Sequence, residues 1–249
     1  MSGVPTQEGR HAFFAAAVPA ISEQGLGTAA VPAVVLVRVS ASRAGAPIGR
    51  AKTALDALHD DRGRPPYYRD ARAKPPLPDD APSFVRGLAV EVRSSPEDST
   101  RYRIGRELVV AGQLVGAFSV DVEAPNDVWA EPAEAARIHA RRTFFAGEVR
   151  AAWRAAGCER RVEGAQALLI RHRPIRDEDN TWSTWCAALC GVQRGGLGHW
   201  ANAAPMAGWK PSSVASLTEP SLRCAARYEI YGPPTNSLPR GSARARSSA

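Results

Sequence analysis

The fold is decided by a segment that the chain carries twice, as Arg10-His11-Ala12-Phe13-Phe14-Ala15 and as Arg141-Arg142-Thr143-Phe144-Phe145-Ala146. The likeness continues at Val18 and Val149. Both segments are rich in alanine and apolar residues, which predicts helices, although Pro19 marks strain or an end in the first one. Because a signal peptide would have no reason to recur in mid-chain, we interpret the first copy as a core helix.

Four further pairs of segments follow in the same order, with the partners separated by about 130 residues. The apolar runs Val34–Arg38 and Ala167–Arg171 predict strands that are buried on both faces. The remaining pairs are Lys52–Leu58 with Ser183–Leu189, Pro82–Leu88 with Pro211–Leu217, and Arg101–Ile104 with Arg227–Ile230. Five matches in one order at a nearly constant offset indicate a duplication.

The predicted fold class is therefore α/β (α+β). We expect a tandem pair of small units, each a mixed sheet covered by helices, packed as a pseudo-dimer within one chain. Copy one spans residues 1–108 and copy two spans 109–233, while 234–249 form a disordered basic tail. Alternation at Phe118, Val120 and Val122 predicts a half-buried strand that opens copy two. The stretch 60–80, rich in proline, arginine and aspartate, is predicted to be a loop.

The composition is that of a globular protein, with 44% hydrophobic and 23% charged residues among 249. The net charge of +7 favours a polyanionic partner, nucleic acid or an anionic membrane surface, or else a basic surface without a partner. No apolar run approaches the roughly 20 residues that span a bilayer, so no membrane partner is expected. The four cysteines, all in the second half, lack the density of a secreted disulfide framework and indicate a cytoplasmic protein.

The sharpest polar cluster is the run Arg176-Asp177-Glu178-Asp179-Asn180, directly after a predicted strand. Carboxylates at alternate positions of an extended segment point the same way, so Asp177 and Asp179 could share one Mg²⁺. An exposed acidic turn that caps the next helix, with Asp179 or Asn180 as the N-cap, accounts for the same residues.

Copy one carries other polar residues at the matching places. Lys52 and Asp56 lie four residues apart on a predicted helix, and Asp79 and Asp80 precede the next strand. Lys52 could stabilise the charge on a scissile phosphate, or form an ordinary ion pair with Asp56. Where copy two has its acids, copy one has the uncharged segment 46–49.

The order of these motifs resembles that of the RusA-type Holliday-junction resolvases. It consists of a strand, Asp-x-Asp-Asn, Lys-x-x-x-Asp-Ala-Leu, Asp-Asp and a second strand. The resemblance implies a small α/β subunit that dimerises and uses Mg²⁺ to cut branched DNA with three acids and one lysine. The catalytic residues that it implies are Asp177, Asp179, Lys52 and Asp80, and the metal ligands are Asp177, Asp179, Asp79 and Asp80. Asn180 and the segment Asp56–Leu58 match the rest of the motif.

Neither copy carries the complete set of acids and lysine, so more than one function is predicted. A composite site would make the protein a Mg²⁺-dependent, structure-specific endonuclease of DNA recombination or repair. Two incomplete half-sites would leave a catalytically inactive DNA-binding or assembly protein. A third hypothesis is a protein-interaction module that uses the tryptophan-rich second copy. The candidate DNA-binding residues are Arg38, Arg171, Arg176, Arg244 and Arg246.

Aromatic and thiol side chains of copy two allow two further interpretations. Trp182 and Trp185 are one helical turn apart and could stack on unpaired bases, although core packing is the commoner role of such a pair. The residues of a conceivable zinc site are Cys186, Cys190, His199 and Cys224. Their spacing lacks Cys-x-x-Cys knuckles, which favours buried, unreactive thiols.

Overall fold

The computed structural model of the protein describes residues 7–25, 28–42, 53–59, 74–81, 83–122, 134–173, 181–191 and 204–233. The described helices are α1 (Gln7–Glu23), α2 (Glu134–Ala155) and α3 (Thr181–Cys190), with a short helical segment at 53–56 and a 3-10 helix at Cys158–Arg160. The strands are β1 (Ala33–Ala41), β2 (Val85–Ser94), β3 (Ser99–Gly105), β4 (Leu114–Val120), β5 (Ala167–His172), β6 (Ser213–Thr218) and β7 (Ala226–Tyr231).

All seven described strands form one mixed sheet in the order β3-β1-β2-β6-β5-β7-β4. The pairs β1–β2 and β5–β6 are parallel, and the other four pairs are antiparallel. The predicted fold class, mixed α/β, is confirmed.

Three strands of each half have the same arrangement, and β4, the fourth strand of the second half, has no counterpart among the described strands of the first. In the first half (β1–β3), β1 lies between a parallel neighbour, β2, and an antiparallel one, β3. In the second half (β4–β7), β5 lies in the same way between β6 and β7. Antiparallel pairing of β2 with β6, centred on Ala89 opposite Ala215, joins the halves into one continuous sheet.

The pairing registers of the two halves also agree with the sequence matches. Arg38 of β1 lies opposite Arg101 of β3, and Arg171 of β5 lies opposite Arg227 of β7. A turn recurs as well, since the Leu77 amide donates to the Leu58 carbonyl as the Met206 amide donates to the Leu189 carbonyl. The strand pairs connect residues that the sequence comparison had matched, whereas Leu77 and Met206 lie outside the matched segments.

The match predicted between β2 and β6 differs from the observed one by three residues. Val37 lies beside Val90, and its counterpart Ile170 lies beside Ser216. Val90 is therefore equivalent to Ser216, whereas the matched segments Pro82–Leu88 and Pro211–Leu217 would pair it three residues later. Both strands are rich in small and apolar residues, which makes such a slip hard to see in sequence.

The helices pack on one face of the sheet and form its main core. Phe14 of α1 contacts the cluster that contains Val37 and Val90, and Phe145 of α2 belongs to the cluster that contains Leu168 and Ile170. Residues paired across strands point to the same face, so the linked pairs Val37–Val90, Val90–Val214 and Val214–Leu168 place both clusters on one side.

The opposite face, called the open face here, has a smaller apolar centre made by Ala89, Leu169 and Ala215. Leu108 and Val110, from the connection between β3 and β4, pack against it. Because β3 and β4 are the two edge strands, this connection runs across the open face. The prediction of burial on both faces is confirmed for β5, in which five of six residues are buried, and only in part for β1, whose open-face residues Leu36, Arg38 and Ser40 are partly exposed.

Other local predictions can be compared directly with the structure. The half-buried strand is β4, which includes Phe118 and Val120 and ends before Val122. Pro19 lies inside α1, which continues past it to Glu23. Among the described helices, none is both long enough and apolar enough to cross a membrane. The basic tail predicted from residue 234 onward lies outside the described residues.

Candidate metal centre

Three buried polar side chains, Asp56, His59 and Asp80, meet on the helix side of the first half. The helical segment 53–56 continues as a turn, so Asp56 and His59 lie three residues apart on one face. A bridge between His59 and Leu77 brings the returning chain alongside, which places Asp80 beside His59 a few residues before β2. Two separate pieces of the chain thus build the group.

The group has the dimensions of a site for one cation. His59 Nε2 is 3.7 Å from Asp56 Oδ1 and 3.6 Å from Asp80 Oδ2, and one ligand atom from each residue lies within 4.8 Å of the others. Two ligands of one Zn²⁺ or Mg²⁺ can lie up to ~4 Å apart, because each metal–ligand bond is about 2 Å long. Both distances to His59 fall within that limit, whereas the 4.8 Å within which all three ligand atoms lie exceeds it, so the side chains would have to draw closer around an ion.

The electrostatics of the group favour positive charge. Burial alone would lower the pKa of His59, but hydrogen bonding and attraction to the Asp56 and Asp80 carboxylates outweigh burial and raise the pKa to about 9. Without a metal, His59 is therefore an imidazolium at neutral pH, held between Asp56 and Asp80. A divalent cation would displace the proton and take over its role.

The donor set limits the metal without selecting one ion. Carboxylate oxygens suit Mg²⁺ and Mn²⁺, whereas imidazole nitrogen suits Zn²⁺ and Fe²⁺. Two carboxylates and one imidazole leave coordination positions for water or a substrate oxygen, as catalytic sites do. The group could bind a metal ion, and among the described residues it is the only cluster of three or more metal-type ligands.

The same place in the second half is apolar. Ala187 and Cys190 stand where Asp56 and His59 stand in the first half, and both are buried. A hydrogen bond with the Cys190 thiol, together with burial, raises the pKa of Cys186 far above its ordinary value, so the Cys186 thiol stays protonated. Trp209, three residues after Met206 as Asp80 is after Leu77, donates its indole N–H to the Ala165 carbonyl.

The predicted site residues fall into two groups, those that the structure describes and those that it does not. Asp80 belongs to the cluster, whereas Asp79 accepts hydrogen bonds from the backbone amides of Asp80 and Ala81 and caps that turn. Arg38 and Arg171 lie on the open face, where each pairs with a glutamate. Outside the described residues are Lys52, Arg176, Asp177, Asp179, Arg244 and Arg246.

His59 is the site residue that the sequence analysis missed, and Asp56 was predicted only as part of a motif and as an ion-pair partner of Lys52. A signal was present, because Asp-x-x-His at helical spacing presents two metal-type ligands on one face. The signal becomes specific only when a third ligand is known to lie nearby, and Asp80 is supplied through the fold rather than by proximity in sequence.

The aromatic and thiol side chains of α3 belong to the core. Trp185 is fully buried, with its ring centroid 4.7 Å from that of Phe145. The Tyr228 hydroxyl donates to the Trp185 carbonyl, and Cys186 and Cys190 are buried free thiols. For Trp185 the packing alternative is therefore confirmed, while the Trp182 side chain and His199 lie outside the described residues.

The chain matches no protein-family model, and no curated protein matches it significantly. The likeness to RusA-type resolvases therefore rests on the sequence motifs alone.

Proposed function

We propose that the protein is a divalent-metal-dependent endonuclease that acts on branched DNA, with Asp56, His59 and Asp80 as its metal centre. The buried convergence of these three side chains is the observation that carries the proposal. It lies where the resemblance to RusA-type resolvases assigns the helix signature and the third acid. A bound Mg²⁺ or Mn²⁺ would polarise a phosphodiester oxygen and lower the pKa of a coordinated water.

The sheet topology supports a composite site completed by the acids of the second half. β2 begins near Gly87, which lies opposite Leu217, and β5 ends at His172, which lies opposite Thr218. The end of β5 and the start of β2 therefore lie on the same side of the sheet's middle, measured along the strands, and are two strands apart. Asp177 and Asp179 follow β5 in the sequence, and Asp80 precedes β2.

Gene duplication accounts for the arrangement of the two halves. We infer that they are diverged copies of one unit packed as an intrachain pseudo-dimer, a proposal supported by their common strand order, directions and register. An approximate twofold axis would pass through the facing residues Ala89 and Ala215. A protein with this symmetry suits a four-way DNA junction, whose arms are themselves related by a twofold axis.

Cleavage of a labelled four-way junction in Mg²⁺ or Mn²⁺ tests the proposal. Asp80→Asn should abolish cleavage because it removes one anionic ligand, whereas Asp121→Asn, the same change at an exposed position, should cleave like the wild type. Equal cleavage by wild type and Asp80→Asn would refute the assigned centre. A wild type that binds the junction but cuts in neither metal would exclude the enzyme.

The alternative, a DNA-binding or assembly protein without catalysis, is favoured by one specific observation. The second half has lost every polar ligand at the equivalent place, as Ala187 and Cys190 show. Under this alternative the first-half centre is structural, so chelation should lower thermal stability while salt-sensitive DNA binding persists. Metal-dependent cutting that is lost in Asp80→Asn would exclude it.

A further inference from the structure

The open face carries an arginine cluster in each half, and the two clusters differ in charge. In the second half, Glu229 Oε1 lies 3.3 Å from Arg171 Nε and 3.0 Å from Arg227 Nε. Arg171 also pairs with Glu219, and the Tyr231 hydroxyl donates to Glu229 Oε2 at 2.8 Å. Two arginines and two glutamates therefore neutralise each other in a closed network.

The first half repeats the arginines without the central carboxylate. Arg38 lies opposite Arg101, as Arg171 lies opposite Arg227. The residue opposite Leu36 is Arg103, whereas the residue opposite its counterpart Leu169 is Glu229. Arg103 thus stands where the second half has Glu229, the glutamate that bridges the second cluster.

One carboxylate, that of Glu91, forms ion pairs with arginines of the first cluster. Its two oxygens accept from Arg38 Nε at 2.7 Å and from Arg93 Nε at 2.6 Å. Burial raises the pKa of Glu91, but the two guanidinium groups outweigh burial and lower it, so the carboxylate is ionised. The four arginines Arg38, Arg93, Arg101 and Arg103, called the arginine patch, stand against this one glutamate and leave a net charge of +3.

The arginine patch has the position and the spacing to bind a polyanion. Arg101 and Arg103 are exposed on β3, an edge strand, and point to the open face about 7 Å apart. Like charges directly opposite each other destabilise a strand pair, so a bound polyanion would relieve the repulsion between Arg38 and Arg101. The register places each arginine of the patch within the Debye length of ~10 Å of at least one other, so neighbouring charges act together on an extended polyanion.

We propose that the arginine patch binds the phosphate backbone of duplex DNA, so that the first half holds one duplex arm while the neutral second cluster only stabilises the sheet. The choice of DNA rests on the proposed function, and the charge of the surface does not. Arginine suits this role because its guanidinium donates two parallel hydrogen bonds to one phosphate.

Binding of the full chain to a labelled duplex and to a four-way junction, measured by fluorescence anisotropy in EDTA over a range of salt, tests the inference independently of cleavage. Loss of two phosphate contacts in Arg101→Gln/Arg103→Gln should weaken binding about tenfold or more and reduce the slope of log affinity against log salt by about 2. The control Arg154→Gln/Arg161→Gln removes the same charge from exposed residues in and after α2 and should leave the slope unchanged.

A second variant, Arg103→Glu, separates loss of DNA binding from loss of folding. It introduces the carboxylate that the second half carries at Glu229 in the matching position. This variant should fold normally by circular dichroism and bind DNA still more weakly than Arg103→Gln. An equal loss in the patch and control variants, or no loss in the patch variant, would overturn the inference. So would a patch variant that binds DNA normally but loses binding to phosphatidylserine vesicles. Normal patch-dependent binding without cleavage would sustain the inference and reject only the nuclease.

Discussion

Three strands of each half share one backbone arrangement, but the side chains at matching positions differ between charged and apolar. In the first half, Asp56, His59 and Asp80 form a buried charged group, whereas Ala187 and Cys190 fill the equivalent space in the second half. The open face also differs in charge between the halves. Its arginines and glutamates form a neutral ion-pair network in the second half and a net positive cluster in the first. One scaffold can therefore hold either a cation site or an apolar core.

The contrast has a physical reason. Removing one member of a buried charged group leaves the others without compensation, which costs roughly 3–5 kcal/mol, while replacing all members by apolar groups of similar volume is often neutral. Under the proposed duplication, a half that loses its function would therefore lose the group as a whole. Ala187 and Cys190, which are both buried, fit this expectation.

The largest expected effect concerns the core of the second half. Trp185 occupies the place that Ala54 occupies in the first half, and both are buried. Trp185→Ala should lower the free energy of unfolding by about 3–5 kcal/mol, because the space beside Phe145 and Tyr228 would become a cavity. Urea denaturation followed by circular dichroism measures the effect. A loss below about 1 kcal/mol would mean that the indole is not part of the core.

The next effect concerns metal binding, which should be confined to the first half. Asp56→Ala, which installs the residue of the second half, should weaken Mn²⁺ binding by at least about a hundredfold because it removes one of three ligands. Isothermal titration calorimetry of wild type, Asp56→Ala and the exposed control Asp121→Asn measures it. If Asp56→Ala binds Mn²⁺ as the wild type does, the cation site lies elsewhere.

Alkaline pH should destabilise the metal-free protein through His59. Since its folded pKa of about 9 exceeds the ordinary value of 6.5, its contribution to stability is complete below pH 6.5 and is lost as pH rises through 9. Urea midpoints in EDTA should therefore fall across this window, and His59→Gln should flatten the fall. Saturating Mn²⁺ should also remove it, because the ligand form of His59 carries no proton to lose. A fall of the same size in His59→Gln would contradict the assignment.

Acidic pH should act through a histidine of the second half. Burial lowers the pKa of His172 to about 4, and its Nε2 lies 2.9 Å from Ser216 Oγ in a hydrogen bond. Because the folded pKa is below the ordinary value of 6.5, its contribution to stability is present above pH 6.5 and is lost as pH falls through 4. Urea midpoints measured across this window in His172→Gln should show a shallower decline than the wild type. An unchanged decline would assign it to other groups, such as the carboxylates.

Much of the fold could be predicted from the sequence because each element carries its own periodicity. The buried runs around Val35 and Leu168 and the alternation at Phe118 identified strands that the structure confirms. The match between β2 and β6 was wrong by three residues, because small and apolar side chains recur along both strands and do not define a register. Register depends on the neighbouring strands, which the local sequence does not name.

The candidate site was predictable only in part, for a related reason. A motif pointed to Asp80 and to the helix that contains Asp56. His59 becomes a candidate ligand only beside the Asp80 carboxylate, which lies more than twenty residues further along the chain. Isolated, His59 would titrate near its ordinary pKa. Burial between two carboxylates changes that value, and burial is a property of the folded chain.

By itself, the sequence determined the helices, the strands, their recurrence and the positive charge, because these follow from side-chain periodicity and composition within short windows. The tertiary structure decided that β2 pairs with β6 to give one sheet, that Asp56 and His59 meet Asp80, and that Arg103 stands where the second half has Glu229. These outcomes depend on contacts between distant segments, whose free energy is gained only when the whole sheet has formed.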